Sequence, residues 1–119
     1  MDDKSPADLS TMGVKTTQTS EEVCISVEGD LDLASVATFQ KAVEKALETR
    51  EGRKLVVDLR ETSYIDSAGL EQLLIANRKL AAEGDRLLVR VEQGRQPQTV
   101  LAVTGFSAVM DVESTTGAT

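Results

Sequence analysis

The residues with the clearest chemical meaning lie at positions 64–70, where the chain reads YIDSAGL. Asp66 places a carboxylate beside the hydroxyl of Ser67, and Gly69 follows two residues later. These residue types suit three roles for Ser67: a helix cap, a nucleophile, or a group that another protein modifies. Asp and Ser are both preferred caps before an apolar helix, so the spacing alone leaves capping and a functional role open.

Enzymatic roles find little support in the rest of the chain. The sequence has no histidine, which excludes Ser-His-Asp and Cys-His arrangements and the commonest metal ligand. Ile65 stands where a G-x-S-x-G elbow needs its first glycine, and neither a phosphate-binding G-x-x-x-x-G-K-[ST] loop nor a G-x-G-x-x-G turn is present. Asp30 and Asp32 are too few to form a calcium cage. We therefore predict no catalytic residue, metal site or cofactor.

Modification of Ser67 by another protein is compatible with its neighbours. Asp66 can cap the helix without help, which leaves the serine redundant as a cap. Gly69 in the first helical turn costs roughly 1 kcal/mol relative to alanine, which indicates a close backbone approach there. A helix amino terminus also tolerates a phosphate, because free amides and the helix dipole favour negative charge.

Length and charge limit the classes of function. A chain of 119 residues is most naturally one domain, large enough to bury a core without disulfides or metals. Its aromatic residues are only Phe39, Tyr64 and Phe106, so the core must be aliphatic. The net charge of −7 argues against binding to nucleic acid or to an anionic membrane surface. A protein partner with a basic patch is more compatible with this charge.

The single cysteine and the amino-terminal segment carry weaker signals. Cys24 cannot form an intrachain disulfide, and it alternates with Val23, Ile25 and Val27 in a strand-like run. We interpret it as a small residue packed on one face of a sheet. The amino terminus is acidic and lacks the apolar segment of a signal peptide. No apolar run approaches membrane-spanning length, so we expect a soluble, cytoplasmic protein.

The periodicity of apolar residues predicts strands that alternate with helices. The first two strands are close enough in sequence to form an antiparallel hairpin. Asp32 is placed to cap the first helix, whose apolar stripe begins at Leu33. The strand that follows reads as buried on both faces, as in parallel sheets. The predicted strands are 14–19, 23–29, 54–59, 86–92 and 108–113, and the predicted helices are 33–50, 67–83 and 96–104.

This order, β-β-α-β-α-β-α-β, predicts an α/β fold. Strands joined through helices need crossover connections and therefore a partly parallel sheet, which the opening hairpin makes mixed. We expect one domain at residues 13–114, with the helices packed on the sheet. A flexible arm at residues 1–12 precedes it, and a tail at 115–119 follows it.

Four segments, in this order, resemble those of the STAS-domain anti-sigma factor antagonists, bacterial proteins that bind and neutralise anti-sigma kinases. GDLD at residues 29–32 is similar to the family's G-[ED]-L-D, and LVVDL at 55–59 resembles its central strand. DSAGL at 66–70 matches its D-S-[SA]-G-L phosphorylation motif. The late helix and final strand are similar around Pro97, Gly105 and Met110. The resemblance covers about residues 12–115.

The resemblance implies a STAS-like domain that acts by partner switching. The unphosphorylated protein would bind an anti-sigma factor serine kinase and free a sigma factor. Phosphorylation of Ser67 by that kinase, with the kinase's ATP, would release it, and a protein phosphatase would reset it. Ala68 stands where many relatives have a second serine. The implied docking surface consists of Asp30, Asp32, Asp66, Ser67, Ala68 and Gly69.

The implied process is regulation of transcription, in a stress response or in sporulation-like signalling. The chain departs from the family at its end, because residues 113–119 are too short and polar for the further helix found in many members. The alternative is a STAS subunit of another assembly, such as a lipid transporter or a signalling scaffold, in which Ser67 is only a helix cap. A hydrolase is opposed by the missing base.

Overall fold

The computed structural model describes residues 12–116, which form a mixed sheet with three α-helices packed on it. The predicted arm and tail lie mostly outside the described residues; Met12, expected in the arm, packs partly buried against the core. The strands are β1 Gly13–Gln18, β2 Glu22–Leu31, β3 Lys54–Asp58, β4 Thr62–Ile65, β5 Leu88–Glu92 and β6 Asp111–Thr115. The helices are α1 Val36–Thr49, α2 Ser67–Ala81 and α3 Gln96–Val103.

The sheet has the mixed pairing that the sequence predicts. β1 and β2 form an antiparallel hairpin, while β2, β3, β5 and β6 are parallel, in the order β1-β2-β3-β5-β6. The run Leu55, Val56 and Val57 in β3 is fully buried. The expected α/β fold with a central strand buried on both faces is confirmed.

The main addition to the predicted order is β4. We expected β2 to end at Gly29, but the strand continues to Leu31. Gly29 has a φ of 94°, and the register shifts between Gly29 and Asp30. Beyond this irregularity β2 changes partner and pairs with β4, with Leu31 opposite Ile65. The sequence predicts that Gly29 ends β2, whereas in the structure this glycine lets the strand bend and continue.

The expected start of the first helix at Leu33, capped by Asp32, is wrong. α1 begins at Val36, and the Asp32 carboxylate accepts a hydrogen bond from the Ser35 amide (3.1 Å). The carboxylate therefore stabilises a turn that precedes the helix. Leu33 is 77% exposed and takes no part in the apolar stripe.

The hydrophobic core lies between the helices and one face of the sheet. Alternate strand residues contribute to it, together with helical residues that include Phe39, Leu73 and Leu101. Cys24, the single cysteine of the chain, is buried on the opposite face of the sheet. This confirms the packing role expected of it. Burial raises the pKa of its thiol, so it is held in the neutral form.

The polar residue Asn77 interrupts the apolar stripe of α2, and the carboxyl-terminal third of the chain supplies its hydrogen-bond partners. Asn77 is buried, donates to the Val109 carbonyl and accepts from the Leu87 amide, both at 2.9 Å. A 3-10 turn at Phe106–Ala108 includes Ala108, the first residue expected in the last strand. β6 therefore begins at Asp111, three residues later than predicted, and it runs to Thr115, the first residue of the expected tail.

Candidate functional site

The predicted site residues lie where β2 and β4 end side by side. The Asp66 amide donates to the Leu31 carbonyl (3.2 Å), so the start of α2 lies against the end of β2. The loop that follows β2 and the first turn of α2 therefore lie at the same edge of the sheet. Asp32 and Ser67, which the resemblance assigns to one docking surface, are therefore at the same edge of the sheet.

The Asp66 carboxylate holds both the loop that follows β2 and the first turn of α2. Its Oδ1 accepts from the amides of Ala68 (2.9 Å) and Gly69 (3.2 Å), which caps α2 as predicted. Its Oδ2 accepts from the amide of Leu33 (3.2 Å) in the loop before α1. The same side chain thus fixes the helix start and ties the neighbouring loop to it.

Ser67 is the first residue of α2, and it is exposed. Within the part of the chain that the structure describes, its hydroxyl makes no hydrogen bond, since Asp66 provides the side-chain cap. The serine is therefore redundant as a cap, and its oxygen is accessible from solvent. The next residue, Ala68, is half-buried.

Gly69 lies at a close contact between α2 and the ends of both strands. A Cβ at this position would be 2.8 Å from Ile65 Cγ1 and 2.9 Å from the carbonyl oxygen of Leu31. These distances are shorter than carbon atoms tolerate, so the helix can approach the strands only with glycine here. Gly69 is buried, so it shapes the site without itself forming an exposed contact surface.

The loop between β2 and α1 is held by Ser35, which is 6% exposed. Its hydroxyl donates to the Asp30 carbonyl (2.8 Å) and accepts from the Asp32 amide (3.1 Å). Asp30 and Asp32 are both half-buried beside this serine. Asp32 therefore belongs to a hydrogen-bonded loop next to the start of α2, and Asp30 lies in β2 just before that loop.

Sequence reasoning missed two residues that hold the site. The spacing Asp32-x-x-Ser35 is typical of a turn in which aspartate and serine bond to each other's backbone, and it could have indicated the loop. Gln96 had no such signal. Its side chain bonds to the backbone of Ile65, 31 positions away, and only the folded chain brings them together.

The arrangement offers an exposed hydroxyl at a helix amino terminus, next to Asp66 and to the loop that carries Asp32. Among residues 12–116, no group of three or more His, Cys, Asp or Glu side chains is placed to hold a metal ion. None of the described helices is long and apolar enough to cross a membrane. The chemistry that these groups support is the acceptance of a modifying group and the binding of a partner.

Fold and site together place the protein in a known class. The chain belongs to the STAS-domain family, because the family model described as "Mlab, STAS domain" matches residues 14–111. A curated relative, a STAS-domain containing protein of Pseudomonas aeruginosa (strain UCBPP-PA14), is 26% identical over 92 residues, which are 77% of this chain and 88% of the relative. The resemblance inferred from the DSAGL and GDLD segments is thus confirmed at the level of the domain.

Solved structures with the same fold include anti-sigma factor antagonists. The crystal structure of one from Mycobacterium paratuberculosis has a TM-score of 0.74 at 19% identity, covering 92% of this chain and 88% of that one. The Bacillus cell fate determinant SpoIIAA, in the phosphorylated form, has a TM-score of 0.63 at 21% identity, covering 84% of this chain and 90% of its own. At these identities the likeness establishes the fold.

Proposed function

We propose that this protein is an anti-sigma factor antagonist that works by partner switching. In its unphosphorylated form it binds an anti-sigma factor serine kinase and so frees a sigma factor. Phosphorylation of Ser67 by that kinase releases it, and a protein phosphatase restores the binding form. The observation that carries this proposal is the exposed Ser67 hydroxyl, free of any capping duty, at the amino terminus of α2.

A phosphate on Ser67 is compatible with the fold. The hydroxyl is on the surface, so the modified side chain has room to extend into solvent. The amino terminus of α2 favours negative charge through the helix dipole. Because Asp66 already occupies the amides of Ala68 and Gly69, the phosphate adds charge to the surface without being needed to hold the helix.

The direction of the switch follows from competing electrostatic effects. A phosphate adds about −1.5 to −2 charges at the edge of the sheet that carries Asp66, Asp32 and Asp30. Coulomb attraction to a basic kinase surface would strengthen binding, which is opposite to release. In a closely fitted interface, however, the dianion must lose its water or meet a carboxylate, and both are unfavourable by several kcal/mol. We infer that desolvation and crowding outweigh attraction.

The docking surface that we propose is centred on Ser67. Asp30, Asp32 and Asp66 supply its negative charge, and the loop held by Ser35 supplies its shape. Gly69 contributes by letting the helix start lie low against the strands, and the half-buried Ala68 lies beside Ser67 in the same turn. The protein acts in this scheme by binding, and the ATP that modifies it belongs to the kinase.

The test is to identify the modified residue and its effect on binding. The protein is used to capture a serine kinase from the host lysate and is then incubated with that kinase and ATP, and phosphate is mapped by mass spectrometry. We expect modification at Ser67. The Ser67→Ala variant should stay bound when ATP is added, and Ser67→Asp should bind more weakly than wild type. Ser63→Ala, a change at an exposed serine nearby, is the matched control and should behave as wild type.

Modification at another residue would contradict the assignment. Ser35 and Thr62 are buried at 6% and 0% exposure, which leaves Ser63 as the accessible rival in this region. Phosphate found mainly at Ser63 would move the switch away from the start of α2.

A second candidate function is a STAS subunit of another assembly, in which Ser67 has no regulatory role. The description of the matching family names a STAS domain and no anti-sigma factor, and the curated relative is likewise named only for its STAS domain. The two functions differ in the state of Ser67. A serine that stays unmodified in cells containing the active partner kinase would favour the second.

A further inference from the structure

The backbone of Ile65 has two polar groups that face away from β2. Within residues 12–116, β4 pairs with no strand other than β2, so its other edge has no partner strand. Ile65 is 1% exposed, so water cannot satisfy its amide and carbonyl. Groups buried in this way need partners from elsewhere in the protein.

Gln96 supplies both partners with one side chain. Its Oε1 accepts from the Ile65 amide (2.9 Å), and its Nε2 donates to the Ile65 carbonyl (3.0 Å). The side-chain amide therefore replaces one residue of the strand that β4 lacks. Gln96 is the first residue of α3, and the preceding Arg95 amide donates to the Glu92 carbonyl at the end of β5 (3.2 Å). The glutamine thus links the end of β5 to the end of β4.

The residue that follows this clamp is Asp66, the cap of α2. Ile65 is held on one side by Gln96, and Asp66 is held on the other by the Leu31 carbonyl. The Asp66 carboxylate in turn fixes the amides of Ala68 and Gly69. Gln96 is therefore connected to the residues around Ser67 through Ile65 and Asp66.

We propose that Gln96 is a positioning residue for Ser67. Its two hydrogen bonds hold the end of β4 so that Asp66 caps α2 with the serine in a fixed orientation for the kinase. The effect on phosphorylation rests on the function proposed above. The effect on the backbone of α2 does not.

The first experiment measures native-state amide exchange by NMR in the Gln96→Met variant, which keeps the side-chain length but removes both hydrogen bonds. We expect the protection of the Asp66, Ala68 and Gly69 amides to fall roughly tenfold, while amides of the central strands β3 and β5 change much less. Gln98→Met is the matched control, since Gln98 lies in the same helix and its side chain makes, within the described part of the chain, only an exposed 3.4 Å hydrogen bond with the Gly94 amide. A uniform change across the protein, or no change at Asp66–Gly69, would overturn the proposal.

A pH profile of the Gln96→Glu variant separates hydrogen bonding from packing. An ionised carboxylate can accept from the Ile65 amide but cannot donate to its carbonyl, whereas a protonated carboxyl can do both. The amide-exchange protection that Gln96→Glu loses at neutral pH should return as the pH falls toward about 4, where carboxyl groups become protonated. The Gln96→Met variant should show no such recovery. A Gln96→Glu profile parallel to that of Gln96→Met would contradict the two-bond clamp.

A third experiment measures function with the serine kinase captured by the wild-type protein. The initial rate of phosphorylation of Ser67 should fall severalfold in Gln96→Met and stay at the wild-type value in Gln98→Met. An unchanged rate in Gln96→Met would refute the positioning role. If wild-type protein is not phosphorylated at Ser67, the proposed function fails, and the exchange results still decide whether Gln96 orders the start of α2.

Discussion

At the scale of single residues, Asp66 caps α2 and leaves its neighbour Ser67 without that task. Asp66 makes the hydrogen bonds that hold α2 and the adjacent loop, and the Ser67 hydroxyl is left in solvent. Gly69 makes this possible, because it lets the first turn lie against Leu31 and Ile65. Glycine is therefore required at position 69 because a side chain would collide with Leu31 and Ile65, although glycine is unfavourable in a helix.

The Gly69→Ala variant tests this contact. In an unobstructed helix the change would stabilise the protein by roughly 1 kcal/mol. Here the added methyl would be 2.9 Å from the Leu31 carbonyl oxygen, so we expect a loss of about 1–3 kcal/mol from strain. Urea unfolding followed by circular dichroism gives the difference. A midpoint higher than that of wild type would show that the close approach is not required.

At the scale of elements, the sequence predicted those whose signals are local. The start of α2 follows from Asp66 and the apolar stripe, and α3 follows from Pro97 at its first turn and Gly105 behind it. The elements that it missed depend on distant partners. β4 exists because β2 bends at Gly29 and offers it an edge.

The candidate site likewise contains residues with local sequence signals and residues that depend on distant partners. Ser67 and Asp66 could be recognised from the DSAGL segment, and their proximity to Asp32 follows from strands that end at one edge of the sheet. The predicted start of α1 is too early, because an aspartate that caps a helix and one that closes a preceding turn have the same signal when taken alone, and the spacing of Asp32 to Ser35 is what indicates the turn. The Gln96 contact with Ile65 depends on packing between α3 and β4 and leaves no trace in the sequence.

Removal of the Ser35 hydroxyl tests the loop as an element. Ser35→Ala leaves the Asp32 amide and the Asp30 carbonyl without their partner, so we expect a loss of about 1–3 kcal/mol. The change should also weaken binding of the captured kinase, since the acidic loop loses its fixed shape. Ser63→Ala, at an exposed position, is the control and should stay within about 0.5 kcal/mol of wild type. A Ser35→Ala variant as stable as this control would refute the structural role of the hydroxyl.

At the scale of the whole molecule, ion pairs on the sheet face opposite the core make stability depend on pH. Asp58 accepts from the Arg60 backbone amide (3.0 Å) and from its guanidinium (2.9 and 2.7 Å). Burial alone would raise the pKa of the Asp58 carboxyl, but these bonds and the charges of Arg60 and Arg90 outweigh it and lower the pKa below its ordinary value. The ionised carboxylate is therefore favoured in the folded state.

Because folding lowers this pKa, the stabilisation is present above the ordinary carboxyl value near 4 and is lost as the pH falls through the folded value. We expect the urea midpoint of wild type to decline below about pH 4. Asp58→Asn should unfold more easily at neutral pH and show a shallower acid decline. Glu71→Gln, a change at an exposed carboxylate without an ion pair in the described chain, should keep the wild-type slope. Equal slopes in Asp58→Asn and wild type would contradict the assignment.

Phosphorylation of Ser67 should turn a binding surface into a non-binding one, and titration calorimetry tests this switch most directly. Wild-type protein and protein carrying phosphoserine at position 67 are each titrated into the captured serine kinase at the same salt concentration. If desolvation and crowding cost about 3 kcal/mol, affinity should fall roughly a hundredfold on phosphorylation. Phosphorylated protein that binds as tightly as the unmodified form, or more tightly, would contradict the partner switch.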